Sequence, residues 1–291
     1  MTTEQSYNNF FNQLLPLYES KEANNIADWV FENVTGLKRW ERRAQKNKIL
    51  TAELVQRLQK YLEELLRNKP VQYVLQEAWF YKMKFFVNEH VLIPRPETEE
   101  LVSWVVNDLR TAVNDMRNGA IEILDVGTGS GCIAISFKKE LKNIFITAID
   151  ISKEALTVAK KNADNLQTPI AFLRMDFIDE RSWNAFGVYD VIVSNPPYIP
   201  EIEKETLAKN VTAYEPGIAL FVQNDHPFIF YEKIAKFAQS HLKPGGRIFV
   251  EVHEGYSNEV RKIFSVYNFN TEMKKDIYGK ARMVRAISNG P

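Results

Sequence analysis

Leu124-Asp125-Val126-Gly127-Thr128-Gly129-Ser130-Gly131-Cys132 passes from a buried-type apolar run through three glycines into a helical pattern at residues 132–139. Glycine lets a backbone turn sharply and come close to a ligand. Open α/β sheets bind their ligands at this kind of strand-to-helix passage. The spacing narrows the ligand. The dinucleotide fingerprint is G-x-G-x-x-G, and here the third glycine comes one residue early. The phosphate loop needs a Gly-Lys-Ser/Thr that is absent.

Outward from this loop, strand and helix alternate. Strands are predicted at residues 121–126, 144–150, 170–175, 189–194 and 247–252, and helices at 132–139, 153–166, 228–241 and 258–267. Alternation of this kind means a mostly parallel sheet covered on both faces, an α/β class. A turn is predicted at Pro244-Gly245-Gly246. Residues 271–275 and 282–287, around Tyr278-Gly279, suit antiparallel edge strands. Before the sheet, Glu97, Glu99 and Glu100 sit near the positive end of a helix that repeats Leu101, Val105 and Leu109 on one face. Trp79-Phe80-Tyr81, Phe85-Phe86-Val87 and Val91-Leu92-Ile93 read as short connector strands. At the start, Phe10, Phe11, Leu14, Leu15, then Ile26, Val30, Phe31, Val34, then Leu54, Leu58, Tyr61, Leu62, Leu65 fall at helical spacing. The expected organisation is a helical bundle over residues 1–70, a strand-containing connector over 71–95 and an α/β domain over 96–291.

Lysine plus arginine equals aspartate plus glutamate at 37 each, so there is no global positive field to hold phosphates, and direct nucleic-acid binding is not expected. One cysteine, Cys132, forms no internal disulfide. The first six residues lack a signal-peptide pattern, and no apolar run approaches the roughly 20 residues that span a bilayer, so the expected location is the cytoplasm, with no membrane partner. His90, His226, His241 and His253 show no metal-binding spacing, and no metal is expected.

Three acids close three successive strand ends. Asp125 lies in the first, with Gly127, Thr128, Gly129, Ser130 and Gly131 after it; Asp150 ends the second; Asp176, followed by Phe177, ends the third. A carboxylate at the tip of the second strand is placed to accept from two ribose hydroxyls. Asp176 can accept from an adenine amino group, with Phe177 against the ring. Such a pocket, without a cation for phosphates, fits S-adenosyl-L-methionine, a sulfonium, better than a dinucleotide.

The fourth strand delivers Asn195-Pro196-Pro197-Tyr198 to the same edge. Neither proline has an N–H, so the loop offers acceptors on a stiff backbone. Asn195 Oδ1 and the Pro196 carbonyl can take both hydrogens of a planar NH₂ group while Tyr198 packs on its flat face. Asn195, Pro196, Pro197 and Tyr198 are therefore the candidate catalytic and substrate-binding residues, with Asn195 also at the cofactor. The alternation and these motifs together describe a Rossmann-like methyltransferase sheet with an antiparallel edge, plus a small N-terminal helical bundle.

With these residues in hand, the chain resembles the release-factor glutamine methyltransferases, the HemK/PrmC family. The resemblance runs over nearly the whole sequence. It rests on Pro70-Val71-Gln72-Tyr73, Val91-Leu92-Ile93-Pro94-Arg95-Pro96-Glu97-Thr98-Glu99, Asn195-Pro196-Pro197-Tyr198-Ile199-Pro200, Tyr214-Glu215-Pro216 with Ala219-Leu220-Phe221, and Asp276 with Gly279-Lys280 and Arg282. It implies an N-terminal domain that docks a protein substrate and a reaction in which the glutamine of the Gly-Gly-Gln motif of peptide-chain release factors is methylated at N5. By resemblance the Arg95 segment lies beside the pocket, where Arg95 can wall the substrate channel; the other reading is a surface arginine paired with Glu97 or Glu99. Glu215 divides similarly. The family has glycine where this chain has Gln76 and Lys82, so turns there are expected to be made differently. The Asn195 loop by itself also suits an adenine or guanine amino methyltransferase, or a cofactor-binding sensor without turnover.

Overall fold

Thr2 opens the first helix with a reciprocal cap: its hydroxyl accepts from Gln5 N (3.2 Å) and Gln5 Oε1 accepts from Thr2 N (2.9 Å). The helices that follow are α1 (Thr3–Leu14), α2 (Ser20–Thr35), α3 (Arg39–Ala44), α4 (Ala52–Leu66) and α5 (Val71–Leu75). Gly36, left-handed at φ +71°, ends α2, and Thr51 caps α4. Phe10, Leu14, Ile26, Val30, Phe31, Leu58, Leu62 and Leu65 meet in one core, with Phe10 edge-on to Phe31 at 5.7 Å. Phe11, Leu54 and Tyr61 are only partly buried, and Leu15 is exposed.

The structure, a computed structural model, describes residues 1–112 and 119–288. It forms two units, one of Met1–Glu77 with Ala208–Tyr214, the other of Ala78–Leu207 with Glu215–Pro291. The second begins with the hairpin β1 (Ala78–Phe80) and β2 (Met83–Phe85), followed by α6 (Pro96–Ala112). Then come β3 (Ile121–Val126), α7 (Cys132–Glu140), β4 (Ile144–Asp150), α8 (Lys153–Asn165), β5 (Ala171–Arg174) and β6 (Tyr189–Ser194). A short parallel pair, β7 (Ile199–Pro200) and β8 (Phe221–Val222), brackets α9 (Lys209–Tyr214), which belongs to the helical unit. The chain closes with α10 (Ile229–His241), β9 (Leu242–Glu251), α11 (Ser257–Val266), β10 (Phe269–Lys275) and β11 (Ala281–Ser288).

Seven strands form one sheet in the order β10-β11-β9-β6-β3-β4-β5, parallel except at β11, which runs antiparallel to both its neighbours. Alternate residues of the central strands feed two cores, as the two-residue period of a strand requires. Ile123, Val193 and Phe249 face Leu101 and Val105 of α6 and Ile133 and Phe137 of α7. Leu124, Ile192 and Ile248 face Tyr231, Ile234 and Phe237 of α10 and Val260 and Phe264 of α11. Among the described residues no helix is long and apolar enough to cross a membrane.

Three expectations need correction. Residues 91–93 form no strand: Val91 N bonds the Asn88 carbonyl (3.1 Å) and Ile93 N bonds Glu215 Oε2 (3.2 Å), so the extended run is satisfied by a turn and a carboxylate. Pro244-Gly245-Gly246 lies within β9, as an irregularity between the pairs Tyr189 to Leu242 and Val191 to Arg247. Gln76 and Lys82 both take the left-handed conformation a glycine would, at φ +54° and +62°. Tyr81, at φ +49°, joins Lys82 as the two central residues of the β1–β2 hairpin, the turn geometry that asks for positive φ twice. Relief of left-handed strain outweighs the entropy of a glycine, so Lys82→Gly is expected to stabilise the fold by about 0.5–1 kcal/mol. Thermal unfolding should show a rise of roughly 2–4 °C per kcal/mol; a fall would show that the Lys82 side chain makes up the difference.

Candidate active site

Strand register sets the site. Val126 pairs with Ile149 on one side and Ser194 on the other, and Ser194 pairs with Val250. The next residue of each strand, Gly127, Asp150, Asn195 and Glu251, therefore emerges at one edge of the sheet. A cavity of about 240 Å³ opens there.

The glycine loop is drawn over the edge of β4, with Gly127 N (3.0 Å) and Thr128 N (2.9 Å) both donating to the Ile149 carbonyl. Gly127, Gly129 and Gly131 have φ of +75°, +55° and +80°. A Cβ on Gly131 would sit 3.2 Å from both Ala159 Cβ and Ile135 Cδ1, whereas one on Gly127 or Gly129 would meet nothing within 4 Å. Gly131 thus serves helix packing, and Gly127 and Gly129 leave their backbone open to the cavity. Asp150 braces the loop: Oδ2 accepts from Gly129 N (2.9 Å) and Oδ1 from Ser152 N (2.9 Å). Each oxygen keeps a lone pair for a ligand.

Asp125 lies behind the loop, fully buried, with Oδ2 accepting from the Thr128 hydroxyl (2.7 Å) and Oδ1 without a hydrogen-bond partner. Burial pushes its carboxyl up to about 7, against the pull of Thr128, with the Asp150 charge adding to the rise. The fold therefore favours the neutral form. The cost of its charge is absent below the ordinary carboxylate range and grows as pH rises through about 7. Asp125→Asn removes that dependence. The stability of the variant relative to the unsubstituted protein is expected to climb from about pH 4 to pH 7, read by denaturant unfolding across that range; a flat difference would contradict it.

Gly127, Thr128, Gly129, Ser130, Asp150, Asp176, Phe177, Asn195, Pro197 and Arg95 all line the cavity, while Asp125, Gly131, Pro196 and Tyr198 are not among its lining residues. Asp176 is exposed, and its Oδ1 accepts from Ile178 N (3.0 Å). The Phe177 ring is tied into the core, 5.2 Å from Phe237 and 5.7 Å from Trp183. Apolar walls that the sequence reading did not single out come from Ile151, Met175, Ile178 and Phe230. Ile151 carried a usable signal, an apolar side chain just past a strand tip, 41% exposed.

Asn195 is held from behind. Its Nδ2 donates to Thr98 Oγ1 (3.1 Å), and Thr98 Oγ1 donates to Glu251 Oε2 (2.6 Å). Tyr198 donates its hydroxyl to Glu251 Oε1 (3.2 Å), and Tyr231 donates to the Glu251 carbonyl (3.0 Å). Burial, with the neighbouring Glu251 charge, holds the Tyr198 phenol far above its ordinary range, so it remains a donor. Neither Thr98 nor Glu251 was singled out as a site residue from sequence.

Arg95 pairs with neither Glu97 nor Glu99. Its guanidinium meets Glu215 Oε1, and the other Glu215 oxygen accepts from Ile93 N. The Glu215 side chain is 1% exposed, so this pair fixes the connector against the segment that follows α9. Arg95 is the one arginine or lysine among the described residues lining the cavity, and its charge is met by Glu215.

This donor set has a clear preference. Acceptors Asp150 and Asp176, an apolar wall and the buried Ser130 Oγ suit a nucleoside that carries positive charge, and among the described residues lining the cavity no arginine or lysine is left without a carboxylate partner to hold a phosphate. Among the described residues no group of His, Cys, Asp and Glu is arranged to hold a metal ion. Cys132 lines the cavity, and burial pushes its thiol up to about 12, which keeps it unreactive.

Comparison with known proteins places this geometry. Residues 9–75 match the model of the PrmC N-terminal domain and residues 108–213 that of the methyltransferase small domain. A release factor glutamine methyltransferase of Flavobacterium psychrophilum is 39% identical over 279 residues, 95% of each chain. Its namesake from Bacteroides thetaiotaomicron is 36% identical over 278 residues, 94% of this chain and 95% of the relative. That of Chlorobaculum tepidum is 38% identical over 258 residues, 88% of this chain and 87% of the relative. With 39% identity sustained over 95% of its length, the chain belongs to the release factor glutamine methyltransferase family.

Proposed function

We propose that this chain transfers the methyl group of S-adenosyl-L-methionine to N5, the side-chain amide nitrogen, of the glutamine in the Gly-Gly-Gln motif of peptide-chain release factors. The observation that carries the reading is the Asn195 side chain. Its Nδ2 is engaged with Thr98, which leaves Oδ1 as an acceptor at a cavity whose other wall offers Asp150.

Asp150 would accept from the ribose hydroxyls and Asp176 from the adenine amino group, while Thr128, Gly129 and Ser130 pass alongside and Asp125 holds Thr128 in place. When bound, S-adenosyl-L-methionine supplies an electrophilic methyl carbon on a cationic sulfur. The chain's own contribution is alignment. An amide nitrogen is a weak nucleophile because its lone pair is delocalised, and fixing it in a near-attack pose can lower a barrier by several kcal/mol. Asn195 Oδ1 and the Pro196 carbonyl take the two N–H groups, Pro197 walls the channel and Tyr198 backs the loop. As the nitrogen is alkylated it sheds one proton along this acceptor path to water. Arg95, fixed by Glu215, would shape the entrance for the extended peptide. The helical segment over residues 1–70 is read as the part that docks the release factor, residues 71–95 as the connector, and residues 96–291 as the catalytic part.

The reading is tested by transfer of labelled methyl from S-adenosyl-L-methionine to a purified release factor, beside the same factor with the Gly-Gly-Gln glutamine changed to alanine. Label on the first and not on the second is expected. Label on nucleic acid and none on either protein would overturn it.

A further inference from the structure

We infer that Thr98 and Glu251 are positioning residues that decide which way round the Asn195 amide faces, so that the cavity receives its oxygen and not its NH₂. The inference rests on the reading of the Asn195 loop as the cradle of the substrate amide.

It follows from counting hydrogens along a buried chain. An ionised carboxylate has none to give, so both of its side-chain partners must donate: Thr98 at 2.6 Å and Tyr198 at 3.2 Å. A threonine hydroxyl has one hydrogen. With it committed to Glu251, the only thing Thr98 can offer Asn195 is a lone pair, and the group that meets it at 3.1 Å must be the Asn195 NH₂. The Asn195 oxygen is then on the other branch of the amide. Reversing the side chain would set Oδ1 against an oxygen whose hydrogen is spent.

The fold supplies the geometry for this. Because Ser194 pairs with Val250, Asn195 and Glu251 leave adjacent strands side by side, and Thr98 reaches them from the first turn of α6. Thr98 and Glu251 are each 2% exposed, so water does not substitute for either partner. Burial, with the Glu97 charge adding to it, pushes the Glu251 carboxyl above its usual range, while the bonds from Thr98 and Tyr198 and the nearby Arg282 pull it back, and the donation runs in this direction wherever Glu251 is ionised. A carboxylate is costly here, and glutamine would fill the same space without the charge. What glutamine cannot do is accept at both ends.

That difference is the test. In Glu251→Gln the new NH₂ can donate to Thr98, which frees the Thr98 hydrogen to turn toward Asn195 and permits the reversed amide. Methylation of a release factor is measured for Glu251→Gln, Thr98→Val, Thr98→Ser and, as reference, Asn195→Ala, with cofactor affinity read separately by calorimetry. Glu251→Gln and Thr98→Val are expected to lower kcat by about 10 to 100-fold, with cofactor Kd held within about threefold. Thr98→Ser keeps the hydroxyl and should keep most of the rate. Wild-type kcat in Glu251→Gln and Thr98→Val, with Asn195→Ala inactive, would overturn the inference and leave the cradle standing. Undiminished turnover by Asn195→Ala would remove the cradle itself. Failure of Thr98→Ser to recover, or a loss of cofactor binding in step with kcat, would show a structural role only and would also overturn it. Should Glu251→Gln not fold, the Thr98→Val and Thr98→Ser pair decides.

Discussion

Asn195→Ala is expected to lower kcat for release factor methylation by about two to three orders of magnitude, the size of effect seen when one preorganised polar contact to a reacting group is removed. The reason is local. Pro196 and Pro197 have no N–H to offer, so the loop acts through acceptors, and Asn195 Oδ1 is the one carried by a side chain held in a single orientation. Without it the substrate amide loses the acceptor proposed to fix its orientation and is free to turn. The fold should tolerate the change. Asn195 is half-buried, its backbone is held between Ser194, bonded to the Val126 carbonyl (2.7 Å), and two prolines, and the cavity beside it accepts the lost volume. A melting temperature close to wild type alongside the fall in kcat is the expected pair of results. A loss confined to KM would assign Asn195 to uniform binding and not to alignment.

Asp150→Ala should act on the cofactor instead. A hydrogen bond to a charged acceptor contributes about 1.5–3 kcal/mol, so losing the two ribose contacts proposed for Asp150 is expected to weaken binding by roughly 100-fold or more. Part of the effect is indirect, since the same carboxylate holds Gly129 N and Ser152 N and so sets both the glycine loop and the first turn of α8. Asp150→Asn separates the two roles. Its side chain keeps one acceptor but must turn an NH₂ toward one of these backbone donors, and it should fall between alanine and wild type. Calorimetric titration with S-adenosyl-L-methionine reads both. Affinity within about twofold of wild type for Asp150→Ala would remove Asp150 from the proposed site.

Much of this site could be read in the sequence because its parts are local. Glycines at 127, 129 and 131 declare a turn, and the switch from strand period to helix period on either side places it. Acids at strand ends are likewise visible one strand at a time. What escaped were relationships between distant residues. Thr98 and Glu251 are 153 positions apart, and Arg95 and Glu215 are 120 apart, so nothing in the local pattern joins them. Glu251 did leave a trace, a charged residue inside Phe249-Val250-Glu251-Val252, where every neighbour belongs in a core. The apolar run at residues 91–93 suggested a strand because periodicity reports burial and not hydrogen-bond partners. At Gln76 and Lys82 the absence of glycine suggested turns of another kind, yet the backbone makes the left-handed ones anyway, at a cost in strain.

A glutamine side-chain amide is proposed to receive the methyl group at this edge of the sheet. Fragmentation mass spectrometry of a release factor, after incubation with this enzyme and S-adenosyl-L-methionine, tests it most directly. One added methyl on N5 of the Gly-Gly-Gln glutamine, lost when Asn195→Ala replaces the enzyme, is the predicted result. A methyl group on any other residue of the factor, or the same glutamine modified equally well by Asn195→Ala, would contradict the account.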